Sequence, residues 1–204
     1  MTQAIEHLPS KLAHTAHGPR AFGWWGMVWL IATEATLFAM LIASYFYLRF
    51  RSQPEWPPSS IEAPELTLPL IMSVILLSSS IPVHFAEAAI KKGSVTGLRI
   101  GLALGSLLGA IFLGLTWGIE WPEALHHFTP RTNSYGTMYF TITGFHGAHV
   151  LGGLVFSVWT QVRAWKGAFG ADRHLTVQNF TMYWHFVDVV WVAVMATIYL
   201  SPHL

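Results

Sequence analysis

Five stretches of this sequence are apolar for about 20 residues or more, the length a helix needs to cross the ~30 Å of hydrocarbon in a bilayer. They lie at about 22–48, 66–90, 98–121, 136–162 and 179–201. In lipid no water satisfies a backbone N–H or C=O, so each stretch must close its hydrogen bonds internally, as a helix. The expected fold is therefore all-α: a polytopic bundle of five transmembrane helices spanning 22–204, preceded by a tail over 1–21. Composition agrees, since 53% of the residues are hydrophobic and only 10% charged, against about 25% charged in a soluble domain. A net charge of +1 provides no basic face, so no nucleic-acid partner is expected. The chain has no cysteine, which excludes disulfides and thiolate metal sites. The tail has no apolar core of the kind a cleavable leader carries.

The connections hold breakers: Pro54, Pro57, Pro58 and Pro64 in the first, and Pro122 and Pro130 in the third. Basic residues set the expected orientation. Lys11, Arg20, Lys91, Lys92, Arg99, Arg163, Lys166 and Arg173 fall on one side, and only Arg49, Arg51 and Arg131 on the other. By the positive-inside rule the N-terminus is cytoplasmic and the C-terminus outside. In the third span Gly101, Gly105 and Gly109 recur at four-residue spacing, a pattern that lets another helix approach closely. Tryptophans such as Trp24, Trp25, Trp56, Trp121 and Trp165 sit near span ends and read as interfacial anchors.

Ionisable residues inside lipid are costly, by about 2.5 kcal/mol or more for an aspartate at the bilayer centre, and persist where protein provides partners. Residues 183–191 read Tyr-Trp-His-Phe-Val-Asp-Val-Val-Trp, which puts His185 and Asp188 on one helical face. Trp184, Asp188 and Trp191 share a stripe expected to pack on protein. At ~1.5 Å per residue, Glu34 lies about 18 Å into the first span, and Asp188 about 13 Å into the fifth. His146 and His149 lie about 15 and 20 Å into the fourth. These groups are expected to form one middle layer in which imidazoles partner the carboxylates, either as static glue between helices or as a proton-handling set. Glu87 and Glu120, near span ends, read as solvated charges. So do His126 and His127 in the third connection, while His7, His14 and His17 belong to the tail. Pro82 is expected to kink the second span just before His84. The His146 and His149 pair has no third ligand at metal-binding spacing, so no metal site is expected.

The segment 183–191 resembles the closing helix of subunit III of the haem-copper oxidases. Thr143-Gly144-Phe145-His146-Gly147-Ala148-His149-Val150 resembles that family's paired-histidine helix, and Thr33-Glu34-Ala35-Thr36-Leu37-Phe38 resembles the helix with its carbodiimide-reactive glutamate, whose place Glu34 takes. Gly118-Ile119-Glu120-Trp121 is similar to a further family segment. The likeness covers the chain after its tail, and matches the short, five-helix bacterial form, without the two leading helices of the seven-helix form. It implies an accessory subunit of a proton-pumping terminal oxidase that reduces oxygen to water. Such a subunit carries no haem or copper itself, packs against catalytic subunit I and other oxidase subunits, binds phospholipid and supports proton uptake. It also implies a bacterial inner membrane. The electron donor, cytochrome c or quinol, is left open. Two alternatives stand beside this: a related subunit associated with nitric oxide reductases, and a stand-alone proton-coupled transporter. The latter would normally show a repeat with broken spans around a midplane site, and the sequence has no convincing repeat.

Overall fold

A computed structural model describes residues 22–52, 56–59, 61 and 64–203. The tail histidines and Pro54 lie outside the described residues. The chain forms α1 (Phe22–Arg51), α2 (Thr67–Lys91), α3 (Val95–Leu115), α4 (Trp121–His127), α5 (Ser134–Trp165) and α6 (Leu175–Val194). A π-helical turn, Thr116–Glu120, joins α3 to α4, and a second, Met195–Leu200, extends α6 into a 3₁₀ turn at Ser201–His203. Five helical spans result: Phe22–Arg51, Thr67–Lys91, Val95–His127, Ser134–Trp165 and Leu175–His203. No extended strand occurs among the described residues.

The five expected spans are present, with ends that run further than the apolar runs. The largest difference is at the third. Pro122 looks like a stop because it lacks the N–H that continues a helix. Instead the helix widens into the π turn just before the proline, which then occupies the first turn of α4. Local ends follow ordinary capping rules. Ser94 Oγ accepts a hydrogen bond from the Gly97 N–H at the start of α3, and Asn133 Oδ1 one from Gly136 at the start of α5. Gly93 (φ 80°) and Gly167 (φ 71°) turn the chain out of α2 and α5 in the left-handed conformation that a Cβ disfavours.

The bundle is built round α6. Helices α1, α2 and α5 all pack on it, α2 and α3 form the most extensive pair, and α3 also packs on α5. The fifth span is mostly buried, whereas α1 is peripheral and turns nearly all its apolar surface outward. Glycines set the closest approaches, as the four-residue spacing predicts. A Cβ on Gly101 would lie 2.5 Å from the Pro82 carbonyl oxygen, and one on Gly105 would lie 2.5 Å from Val83 Cγ2. The Trp184 ring is seated between Gly109 and Gly153, whose Cβ atoms would meet it at 2.6 and 2.7 Å. Trp56 corrects an expectation. It is buried, edge-on to Tyr45 and Tyr135, and so is core in the first connection, not an exposed anchor.

Gly101→Ala should therefore destabilise the bundle by about 1–3 kcal/mol, the usual cost of overpacking. Gly114→Ala, where nothing lies within 4 Å of the added methyl, should be neutral or slightly stabilising. Thermal unfolding of the two variants in one detergent would separate these outcomes.

Candidate functional site

The polar residues of the spans gather in three places, not in one continuous layer. The first joins α1 to α5. Glu34 Oε2 and His149 Nε2 are 3.1 Å apart, and His149 Nδ1 lies 2.7 Å from the Phe145 carbonyl oxygen. A carbonyl only accepts, so Nδ1 carries a hydrogen. The short contact at Nε2 then needs a second hydrogen, lying either on that nitrogen or on Glu34 Oε2. Carboxyl and imidazole thus share one proton across the helix interface. Phe38 packs edge-on to the His149 ring, and the Tyr183 hydroxyl donates to the His149 carbonyl at 3.0 Å.

The second place joins α2 to α6. Ser80 Oγ donates to Asp188 Oδ2 and lies 3.0 Å from His185 Nδ1. His185 Nδ1 and Asp188 Oδ2, which share a face as expected, are 4.0 Å apart, and the serine bridges them. Asp188 is buried, as are Trp184 and Trp191 on the same stripe. Both indoles are fixed by serines of α2: Trp184 Nε1 donates to Ser79 Oγ at 2.8 Å, and Trp191 Nε1 to Ser73 Oγ at 2.9 Å. The partner of Asp188 is therefore primarily a hydroxyl. The run Ser78-Ser79-Ser80 in an apolar span was the available signal for it.

His146 joins neither pair. It is 1% exposed, and neither ring nitrogen has a hydrogen-bond partner. Its ring lies 5.0 Å from that of Trp191, with Phe112 and Phe38 edge-on at 5.7 and 6.5 Å. The expectation that both histidines of α5 would face carboxylates thus holds for His149 alone. A helix turns His146 about 300° from His149, and the residual angle suffices to aim it into the aromatic core.

The third place was missed. Glu120 is not a solvated end charge: it is 6% exposed, and its Oε1 accepts hydrogen bonds from Tyr139, at 2.8 Å, and from Tyr199. Because α4 continues the span to His127, Glu120 lies about 10 Å inside its C-terminal end. The two π turns contribute Glu120 and Tyr199 respectively. Glu87 is also more covered than expected, and forms an i, i+4 ion pair with Lys91. His84, His126 and His127 are exposed. No three His, Asp or Glu side chains among the described residues converge in a metal-ligating group.

Helices of this length and apolarity, with carboxylates held by partners from neighbouring helices, define a multi-pass membrane protein. The family model for cytochrome c oxidase subunit III matches residues 11–202. A probable cytochrome c oxidase subunit 3 of Nocardia farcinica is 34% identical over 191 residues, covering 93% of each chain. A cytochrome c oxidase subunit 3 of Thermostichus vulcanus is 34% identical over 196 residues, 91% of this chain and 90% of that one. The chain belongs to the cytochrome c oxidase subunit III family.

The polar sites make two stability predictions. Asp188→Asn keeps an acceptor for Ser80, whereas Asp188→Leu removes that acceptor and leaves the part-buried Ser80 hydroxyl and His185 Nδ1 with only each other. The leucine variant should lose about 1–3 kcal/mol more, read as the difference in thermal unfolding in detergent. Tyr139→Phe removes one of two donors to a buried carboxyl group, and should cost about 1–3 kcal/mol. Tyr47→Phe, on the exposed side of α1, should cost little in the same assay.

Proposed function

We propose that this chain is the accessory subunit III of a proton-pumping haem-copper terminal oxidase in a bacterial inner membrane. It lies N-terminus cytoplasmic and C-terminus outside, and packs against catalytic subunit I. Haem and copper belong to the partner subunits, and oxygen is reduced there. Within this chain the two histidines of α5 have other uses: His149 is committed to Glu34 and the Phe145 carbonyl, and His146 is sealed among aromatic rings. What the chain contributes is a rigid apolar flank that orders phospholipid, and a proton-handling set near the catalytic subunit. The candidates for that set are Glu34 and His149, with Asp188 and His185 as a second pair and His146 in the core between them.

The observation that carries this reading is the Glu34–His149 contact. Its geometry requires one shared proton, and the Glu34 side chain is about one-third exposed at the periphery of the bundle. A group that can bind a proton and reach beyond its own bundle suits proton supply to a neighbour. A group used only to glue helices together would be better buried. The Asp188 pair fits a structural role more closely, since one oxygen is bound to Ser80 and the other is buried.

Removal of this chain from the purified oxidase should leave haem spectra and oxygen reduction intact, but with slower or less durable turnover, because no redox ligand is lost. Oxygen-electrode traces over many turnovers would read both the initial rate and its decay. Immediate and complete loss of activity with the haems intact would overturn the accessory role. Glu34→Ala in the complete complex should reproduce the slower turnover and abolish labelling of this chain by a hydrophobic carbodiimide. Equal labelling of Glu87 and Glu120 would instead remove Glu34 from its special place.

A further inference from the structure

Helices α1 and α2 both pack on α6 but make hardly any contact with each other, so a groove runs between them with α6 as its floor. Round α6, Leu175 and Asn179 turn towards Gly23 of α1, while Trp184, Asp188 and Trp191 turn towards the serines of α2. The strip between these two faces carries Met182, His185, Val189, Val192 and Ala196. Val189 is 69% and Val192 53% exposed, and the His185 side chain is 44% exposed. His185 lies about 15 Å along the span, at hydrocarbon depth.

The hydrogen bonds fix what the imidazole offers to this groove. Ser80 has one hydroxyl hydrogen, and it goes to Asp188 Oδ2. The 3.0 Å contact between Ser80 Oγ and His185 Nδ1 is therefore made by a hydrogen on Nδ1. In that tautomer Nε2 is a bare acceptor. Lipid acyl chains have no donor, so hydrocarbon alone leaves this acceptor unsatisfied at a cost.

We propose that the α1/α2 groove seats a transmembrane helix of another oxidase subunit, and that this helix donates a hydrogen bond to His185 Nε2 from a hydroxyl, amide or indole side chain. The floor presents short aliphatic side chains, Val189 and Val192, and one small residue, Ala196, of the kind that lets helices approach closely in lipid. His84, exposed one turn from Ser80 on the α2 wall, gives the incoming helix a second polar contact. This inference rests on the oxidase-subunit reading and adds to it the face and the chemistry of docking.

The test uses the intact complex, with a photo-reactive amino acid in place of Val189 and, as controls, in place of Leu107 on α3 or Val158 on α5. The expected result is a cross-link from position 189 to a membrane-spanning peptide of a different subunit, one that bears a donor side chain at the same depth. His185→Leu should lower the amount of this chain retained by the complex in detergent about threefold, in line with interhelical hydrogen bonds in membranes. Val192→Trp, which fills the groove from an exposed position without disturbing the core, should lower it further. Cross-links from 189 only to lipid, or to a second copy of this chain, would overturn the inference. So would normal retention of both variants. A chain that purifies with no haem-bearing partner overturns the functional reading and this inference together. A chain that does purify with one, but is cross-linked to it only from positions 107 or 158, overturns this inference alone.

Discussion

Polar side chains in the spans depend on protein for their partners, because the surrounding medium has none to offer. Most of the architecture answers this demand. Asp188 and the indoles of Trp184 and Trp191 would each be costly in hydrocarbon, and each is matched by a serine on α2. Those three bonds fix the rotation of α6 against α2 more sharply than apolar contact could, since packing against lipid-like side chains is nearly indifferent to rotation. With α6 fixed, Trp184 falls between Gly109 and Gly153, and this sets the spacing of α3 and α5 in turn.

From that centre the polar contacts differ in depth and exposure. The serine bonds between α2 and α6 lie in the packed interior of the bundle and hold Trp184, Asp188 and Trp191 in place. The Glu34–His149 pair lies at the periphery on the most exposed helix, with the Glu34 side chain about one-third exposed. Glu120 and its two tyrosines tie the third, fourth and fifth spans together towards one end of the bundle. Helix α1 is held mainly at its two ends: Asn179 donates to the Gly23 carbonyl at 3.0 Å, and Tyr45 shares a 3.2 Å hydrogen bond with Ser201. Between those points it is joined to the bundle through Phe38 and Glu34.

Much of this could be read before any coordinates. Apolar run length identified five helices, because the bilayer imposes the length and forbids other backbone structure. Glycine spacing identified a face of α3 that other helices approach closely, without saying which: Gly101 and Gly105 meet α2, and Gly109 meets Trp184 of α6. The stripe of Trp184, Asp188 and Trp191 was legible as a packed face because its period is that of the helix. What was not legible depended on pairing between distant segments. Nothing local to Glu120 announces Tyr199, which is 79 positions away, and Pro122 gave a false stop since a widened turn accommodated it. His146 and His149 look equivalent in sequence, yet the residual angle of a three-residue step sends one to a carboxyl group and the other into aromatic rings.

The two π turns give one end of the bundle a local slack. Each contains one residue more than an α-helical path would need, so each is a place where the chain can change length without breaking a span. Losing one residue within Met195–Leu200 would relax the turn to an ordinary α-helical path of almost the same reach, and the residues beyond it would keep their faces. The same loss from a straight stretch of α6 would swing everything beyond it by about 100°, turning Ser201 away from Tyr45. The position of a one-residue change, inside or outside a π turn, therefore decides whether it is absorbed or redirects the side chains that follow.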